Sequence, residues 1–142
     1  MIKHLKEFIV AGIFLLASLP LMADEVPETI PGATLVTAEY LKSLDLELSS
    51  LVVIDNRDQF ARDQGYIPES VSMSEAEINA ATMQKLIGPK DTPVAFYCDD
   101  FTCMSSVYAV RFALKEGYQQ VYWLRGGIAE WRQFRFPISN VK

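Results

Sequence analysis

The residues best placed to do chemistry form one short stretch, Cys98-Asp99-Asp100-Phe101-Thr102-Cys103-Met104-Ser105-Ser106. Cys98 stands directly after Val94-Ala-Phe-Tyr97, an apolar run of the kind that makes a buried strand, and a segment of helical spacing begins at Ser105. Where a strand gives way to a loop and then a helix, successive backbone N–H groups and the helix N-terminus can stabilise an anion. They would hold a thiolate or a persulfide in the same way and lower the thiol pKa. A lone cysteine after an apolar strand is by default a buried packing residue, so Cys98 needs its context to become a nucleophile. Cys103 admits three readings: a resolving thiol, a disulfide partner of Cys98, or a spectator.

Several chemistries are excluded by what is missing. The only histidine is His4, so nothing beyond the first residues can build a Ser-His-Asp triad, a Cys-His pair or a His-containing zinc site. The loop after Cys98 has no arginine to clamp a phosphate, which argues against a phosphatase. No metal or cofactor is signalled. The 142 residues carry a net charge of −5 and no run of Lys and Arg, a poor match to nucleic acid.

The elements that must position the thiol follow from the apolar patterning. Lys3 and Lys6 precede the apolar run Phe8–Leu19, which Pro20 ends before Ala23 and the acidic Asp24-Glu25. This is the layout of a secretory signal peptide over residues 1–23, and it implies a periplasmic protein with no stable membrane anchor after cleavage. Its loss removes Lys3, Lys6 and Glu7, and so makes the remainder one charge more acidic. Residues 24–32, with two prolines and no periodicity, read as a flexible lead-in, and 33–142 as one domain. Thr37 is placed to cap a short helix. Leu51–Ile54, Val94–Tyr97 and Val121–Leu124 read as strands, with helices over Glu75–Ile87, Ser105–Glu116 and Ile128–Phe134. Asp55–Ser70 reads as loop with one helical turn. Strands separated by helices predict an α/β fold with a mainly parallel sheet, and ligands gather outside the carboxyl ends of such strands. Those ends carry Asp55-Asn-Arg57, the cysteine loop and Arg125-Gly-Gly127.

In order along the chain stand Asp55-x-Arg57, Gly65-Tyr-Ile-Pro68, Tyr97-Cys98, Gly117-Tyr-x-x-Val121-Tyr, Gly126-Gly-Ile and Trp131. The ordered set resembles a single-domain rhodanese-like protein, in a secreted form with a second cysteine in the active-site loop. The resemblance implies a three-layer fold with a central, mainly parallel sheet flanked by helices. It also implies a sulfurtransferase whose cysteine, here Cys98, takes a sulfane sulfur from a small donor as a persulfide and passes it to a thiophilic acceptor, a protein thiol included. Asp99, Asp100, Phe101, Thr102, Cys103, Met104 and Ser105 then form the substrate cradle, with hydroxyls of Ser105 and Ser106 as added donors and Asp55, Arg57 and Arg125 in support. On the residues alone, Asp55 and Arg57 read more simply as a loop brace, Gly126-Gly127 as a tight turn and Trp131 as core.

The departures from the family pattern are informative. The family often has His where Tyr66 stands, and Gly and a basic residue between the cysteine and the helix. Here that loop is longer and holds Asp99 and Asp100. Two carboxylates raise a thiol pKa and repel an anionic donor such as thiosulfate. Arg57, Arg111 or Arg125 would have to fold back to supply the missing charge. The alternatives to an enzyme are a silent binding module whose acidic loop recognises a basic partner, and a thiol–disulfide redox protein using Cys98 and Cys103.

Overall fold

Three four-residue strands, apolar except for the Asp55 that ends the first, make the middle of the sheet. In a computed structural model that describes Pro20 and residues 24–141, they are β2 (Val52–Asp55), β4 (Val94–Tyr97) and β5 (Val121–Leu124). Pro20 apart, the stretch read as a signal peptide lies outside the described residues. Two-residue strands complete the edges: β1 (Thr34–Leu35) beside β5, and β3 (Val71–Ser72) beside β2. The five strands run parallel in the order β1-β5-β4-β2-β3. The fold is therefore α/β with a parallel sheet, as the alternation of strands and helices predicts.

Side chains of each strand alternate between two cores. Ile54, Val94, Phe96, Val121 and Trp123 pack with Met83 of α3 (Ala80–Leu86) and with Val107 and Val110 of α4 (Ser105–Lys115). Val53, Ala95, Tyr97 and Leu124 pack with Leu41 and Leu44 of α1 (Ala38–Glu47) and with Ile128 and Trp131 of α5 (Gly127–Gln133). Covered on both faces, the strands have no polar side to show, which is why they read as unbroken apolar runs. Among the described residues no helix is long and apolar enough to cross a membrane.

Local chemistry sets the boundaries. Thr37 caps α1 by accepting the Tyr40 N–H, as its placement before the helix predicts. The helix expected over Glu75–Ile87 is interrupted: a 3₁₀ turn covers Glu75–Glu77, and α3 begins afresh at Ala80. Ser74 and Glu77 form a capping box around the first piece, and Asn79 caps the second by accepting the Thr82 N–H at 2.8 Å. Two side-chain caps so close together stop the backbone from running through. The helical turn expected within Asp55–Ser70 is α2 (Gln59–Asp63), capped by Asp58. The lead-in over residues 24–32 is held against the core: Ile30 is buried, Val26 packs beside it, and the Pro27 carbonyl accepts a hydrogen bond from Arg125 Nε at 2.8 Å.

Register then builds the site. Asp55, Tyr97 and Leu124 lie side by side at the carboxyl ends of β2, β4 and β5, so the residues that follow them, Asn56, Cys98 and Arg125, emerge along one edge.

Candidate active site

Cys98 leaves the central strand with 2% of its surface exposed, and it is disulfide-bonded to the half-buried Cys103, their Cα atoms 6.1 Å apart. The loop between them is shaped from two sides. On one, the first turn of α5 takes hold of its carbonyls: Ile128 N–H donates to the Cys98 carbonyl at 3.0 Å, and Ala129 N–H to that of Asp99 at 2.9 Å. Helix-end N–H groups lack partners in their own helix, so they bind whatever acceptor is presented. That approach is possible only because residue 127 is glycine. Its φ is +61°, and a Cβ there would stand 2.5 Å from the Cys98 carbonyl oxygen. The glycine pair read as a tight turn is thus also the seat of the cysteine loop.

On the other side the loop closes on itself. The Asp100 carboxylate accepts the Thr102 N–H at 2.8 Å and the Thr102 hydroxyl at 2.6 Å, and its carbonyl accepts the Cys103 N–H at 3.2 Å. These side-chain and backbone hydrogen bonds from Thr102 hold the Asp100 pKa below its ordinary value. Two of the amides expected to cradle a sulfur, those of Thr102 and Cys103, are therefore already committed.

Beneath the loop lies a buried ion cluster. Asp55 is fully buried and takes Arg57 in a two-pronged pair, Nε at 2.9 Å and Nη2 at 2.8 Å. Arg62 donates to the same carboxylate at 3.0 Å, and the Tyr97 hydroxyl at 2.8 Å. Arg57 also donates to the Gly65 carbonyl at 2.8 Å, and Ser70 joins Tyr97 to Arg62. Burial alone would raise the Asp55 pKa; the hydrogen bonds and charge of Arg57, aided by Tyr97, outweigh it and hold the pKa below the usual carboxylate value. Burial and the Asp55 charge push the Tyr97 phenol well above its ordinary pKa. Asp55 and Arg57 are thus a brace. Arg57 reaches toward the cysteine loop only as a long pair with Asp99, 3.9 Å.

A cleft of about 330 Å³ opens above the disulfide, lined by Asn56, Arg57, Asp58, Ser74, Glu75, Ala76, Cys98, Asp99, Cys103 and Ser105. It holds one cation, already shared with Asp55, against the carboxylates of Asp58, Glu75 and Asp99. The Asp99 side chain is 57% exposed. Burial of the remainder raises its pKa, Asp100 and Asp55 add to the rise, and Arg57 opposes them. Among the described residues, Cys98, Asp99 and Cys103 bring three ligand-type atoms within 4.8 Å of one another, but the two sulfurs are bonded to each other.

Of the residues expected to form the cradle, the cleft brings together Cys98, Asp99, Cys103 and Ser105. Phe101 instead points outward, 59% exposed, and Met104 packs on the core. Asp100 and Thr102 serve the turn. The expected hydroxyl donors are also engaged elsewhere: Ser105 Oγ donates to Glu75 at 2.7 Å, and the buried Ser106 Oγ accepts from Trp123 Nε1 at 3.0 Å. Arg125 does not support the thiol. Its Nε is held by Pro27, and its guanidinium lies 6.0 Å from the Phe101 ring in a neighbouring hollow. Arg111 sits on the exposed side of α4. Sequence reasoning missed Asn56, Ser74 and Glu75. Ser74 and Glu75 follow β3, a strand too short to show as a period; Ser74-x-x-Glu77 was the available signal. Asn56 is buried, donates to the Met73 carbonyl at 2.9 Å, and leaves its Oδ1 without a hydrogen bond.

With this geometry in view, comparison with known proteins is decisive. The rhodanese-like domain family matches residues 29–134. The chain belongs to the rhodanese-like family. It is 33% identical over 94 residues to the thiosulfate sulfurtransferase GlpE of Pseudoalteromonas translucida, a match spanning 66% of this chain and 83% of that one. It is 27% identical over 103 residues to a sulfurtransferase of Allochromatium vinosum, spanning 72% and 92%. Its fold superposes with a TM-score of 0.64 on the solution structure of a rhodanese-like domain from Anabaena, at 21% identity, covering 79% of this chain and 81% of that domain. In this chain the strand-end cysteine is bonded to a second cysteine of the same loop.

Proposed function

We propose that this rhodanese-like chain is an exported sulfurtransferase whose reduced Cys98 takes a sulfane sulfur as a persulfide and passes it to a thiophilic acceptor. Relatives named as sulfurtransferases support sulfur transfer in general. The observation that carries the specific reading is the position of Cys98. It follows directly on the central strand, and the α5 amides hold the carbonyls of Cys98 and Asp99, turning those negative dipole ends toward the helix. Among the described residues, the Asp99 and Asp100 amides donate to no other group of the protein, which leaves them available to a bound sulfur. The acidic cleft favours donors of low charge over the thiosulfate dianion, because like charges at close range repel strongly where water is partly excluded.

In reduced protein, Cys98→Ser removes sulfur transfer, because a hydroxyl cannot carry a sulfane sulfur, and keeps the fold, because the change is nearly isosteric. Full transfer by that variant would take Cys98 out of the mechanism. Export rests on the signal-peptide layout of residues 1–23, and the disulfide suits an oxidising compartment. The secreted product is expected to begin near Asp24; N-terminal sequencing that finds Met1 on a membrane-bound product overturns this.

A further inference from the structure

We propose that Cys103 is a built-in acceptor: it resolves the persulfide on Cys98, releases the sulfur as sulfide and leaves the Cys98–Cys103 disulfide. This rests on the sulfur-carrying role of Cys98 proposed above and gives that site a second, reductive activity.

Three observations converge. First, the backbone turn at Asp100 brings the two sulfurs within bonding reach while both cysteines keep their places in the loop. Cys103 Sγ can therefore reach the inner sulfur of a Cys98 persulfide without rearrangement of the fold. Second, Cys98 is almost wholly buried while Cys103 stands half-buried beside it, so the thiol nearest the persulfide is the protein's own. Third, Asp58, Glu75 and Asp99 make the cleft a poor docking place for a small anionic acceptor but favour departure of an anion from it.

The chemistry balances. The Cys98 thiolate attacks the outer sulfur of a low-molecular-weight persulfide, the donor S–S bond breaks, and the donor thiolate leaves. Cys103, giving up its proton, attacks Cys98 Sγ. The Sγ–Sγ bond forms, the bond from Cys98 Sγ to the outer sulfur breaks, and that sulfur leaves with the proton as hydrosulfide. The sulfane sulfur gains two electrons and the cysteine pair loses two. A dithiol reductant then exchanges with the disulfide and restores both thiols, so turnover consumes one persulfide and one dithiol.

The test is a single turnover without oxygen. Reduced protein, freed of reductant, receives an equal amount of cysteamine persulfide, a donor with no carboxylate; sulfide release is followed and the protein is weighed by mass spectrometry. The parent is expected to release about one sulfide per chain and end two hydrogens lighter than its reduced form. Cys103→Ser and Cys103→Ala are expected to release almost none and end one sulfur heavier, and a circular-dichroism spectrum matching that of the parent shows that the variants are folded. A parent that holds the extra sulfur beside a free Cys103 thiol overturns the resolving role while leaving the carrier role of Cys98 intact. Failure of parent and both variants alike to take up sulfur overturns the carrier role itself, and the resolving role with it.

Discussion

Two clusters of charge lie against each other at the carboxyl edge of the sheet, and they obey different rules. The lower one, Asp55 with Arg57, Arg62, Tyr97 and Ser70, is buried and mutually paired; the single Asp55 carboxylate accepts from three side chains. The upper one, Asp58, Glu75 and Asp99 around the cysteines, is exposed and excessively negative, with one long contact of 3.9 Å between Asp99 and Arg57. Folding demands the first arrangement once the charges are buried, because an unpaired interior charge is very costly. Nothing in folding demands the second. Carboxylates beside a nucleophilic thiol work against its ionisation, so their presence speaks to which sulfur compounds enter and leave.

The comparison breaks most visibly if the lower cluster is emptied. Asp55→Ala leaves two arginines uncompensated and is expected to cost about 3–5 kcal/mol, read as a lower midpoint in urea unfolding of the reduced protein. An unchanged midpoint would mean that the cluster is not a brace.

Neutralising the upper cluster is expected to do the opposite, sparing stability and changing chemistry. Replacing Asp99 of that cluster, and with it the adjacent turn residue Asp100, by Asn keeps their shape and the acceptor that holds Thr102. Each charge at close range is worth on the order of 1 kcal/mol in a partly solvated site, so removing two should raise thiosulfate turnover by reduced protein roughly tenfold or more. The gain should shrink at high salt, and a less charged donor should gain little. Equal thiosulfate rates for parent and variant at low salt would show that these carboxylates do not select the donor.

The smallest expected effect sharpens the contrast through pH. The folded-state pKa of Asp55 lies below the ordinary carboxylate value, so its stabilising contribution is complete above that ordinary value and is lost as pH falls through the lower, folded pKa. Asp99 is shifted the other way, so it is protonated sooner on acidification. Mild acid should therefore narrow the preference for a less charged donor over thiosulfate, measured as a ratio at each pH, before stability begins to fall. A preference that stays constant while stability declines would reverse the assignment of the two clusters.

Much of this was legible in the residues. Val94–Tyr97 and Val121–Leu124 stood out as strands because burial on both faces leaves them wholly apolar, and Cys98 was conspicuous because it follows one of them. β1 and β3 were not legible, since two residues cannot display a period. With β3 unseen, Ser74 and Glu75 could not be placed at the cleft. The roles of Phe101, Ser106 and Arg125 were also beyond reach. Whether a hydroxyl faces a cleft or a tryptophan N–H, or an arginine faces a thiol or a distant carbonyl, depends on contacts such as Trp123 with Ser106 and Pro27 with Arg125, which no local spacing encodes.

The central claim, that Cys98 carries sulfur, is met most directly by locating that sulfur. Reduced Cys103→Ser protein is treated with a low-molecular-weight persulfide, its persulfides are capped by alkylation, and the digested peptides are sequenced by mass spectrometry. The account predicts one added sulfur on the peptide containing Cys98, at Cys98, and none in a Cys98→Ser control treated alike. A Cys98 peptide recovered with only its original thiol, under conditions where the free donor persists, would contradict it.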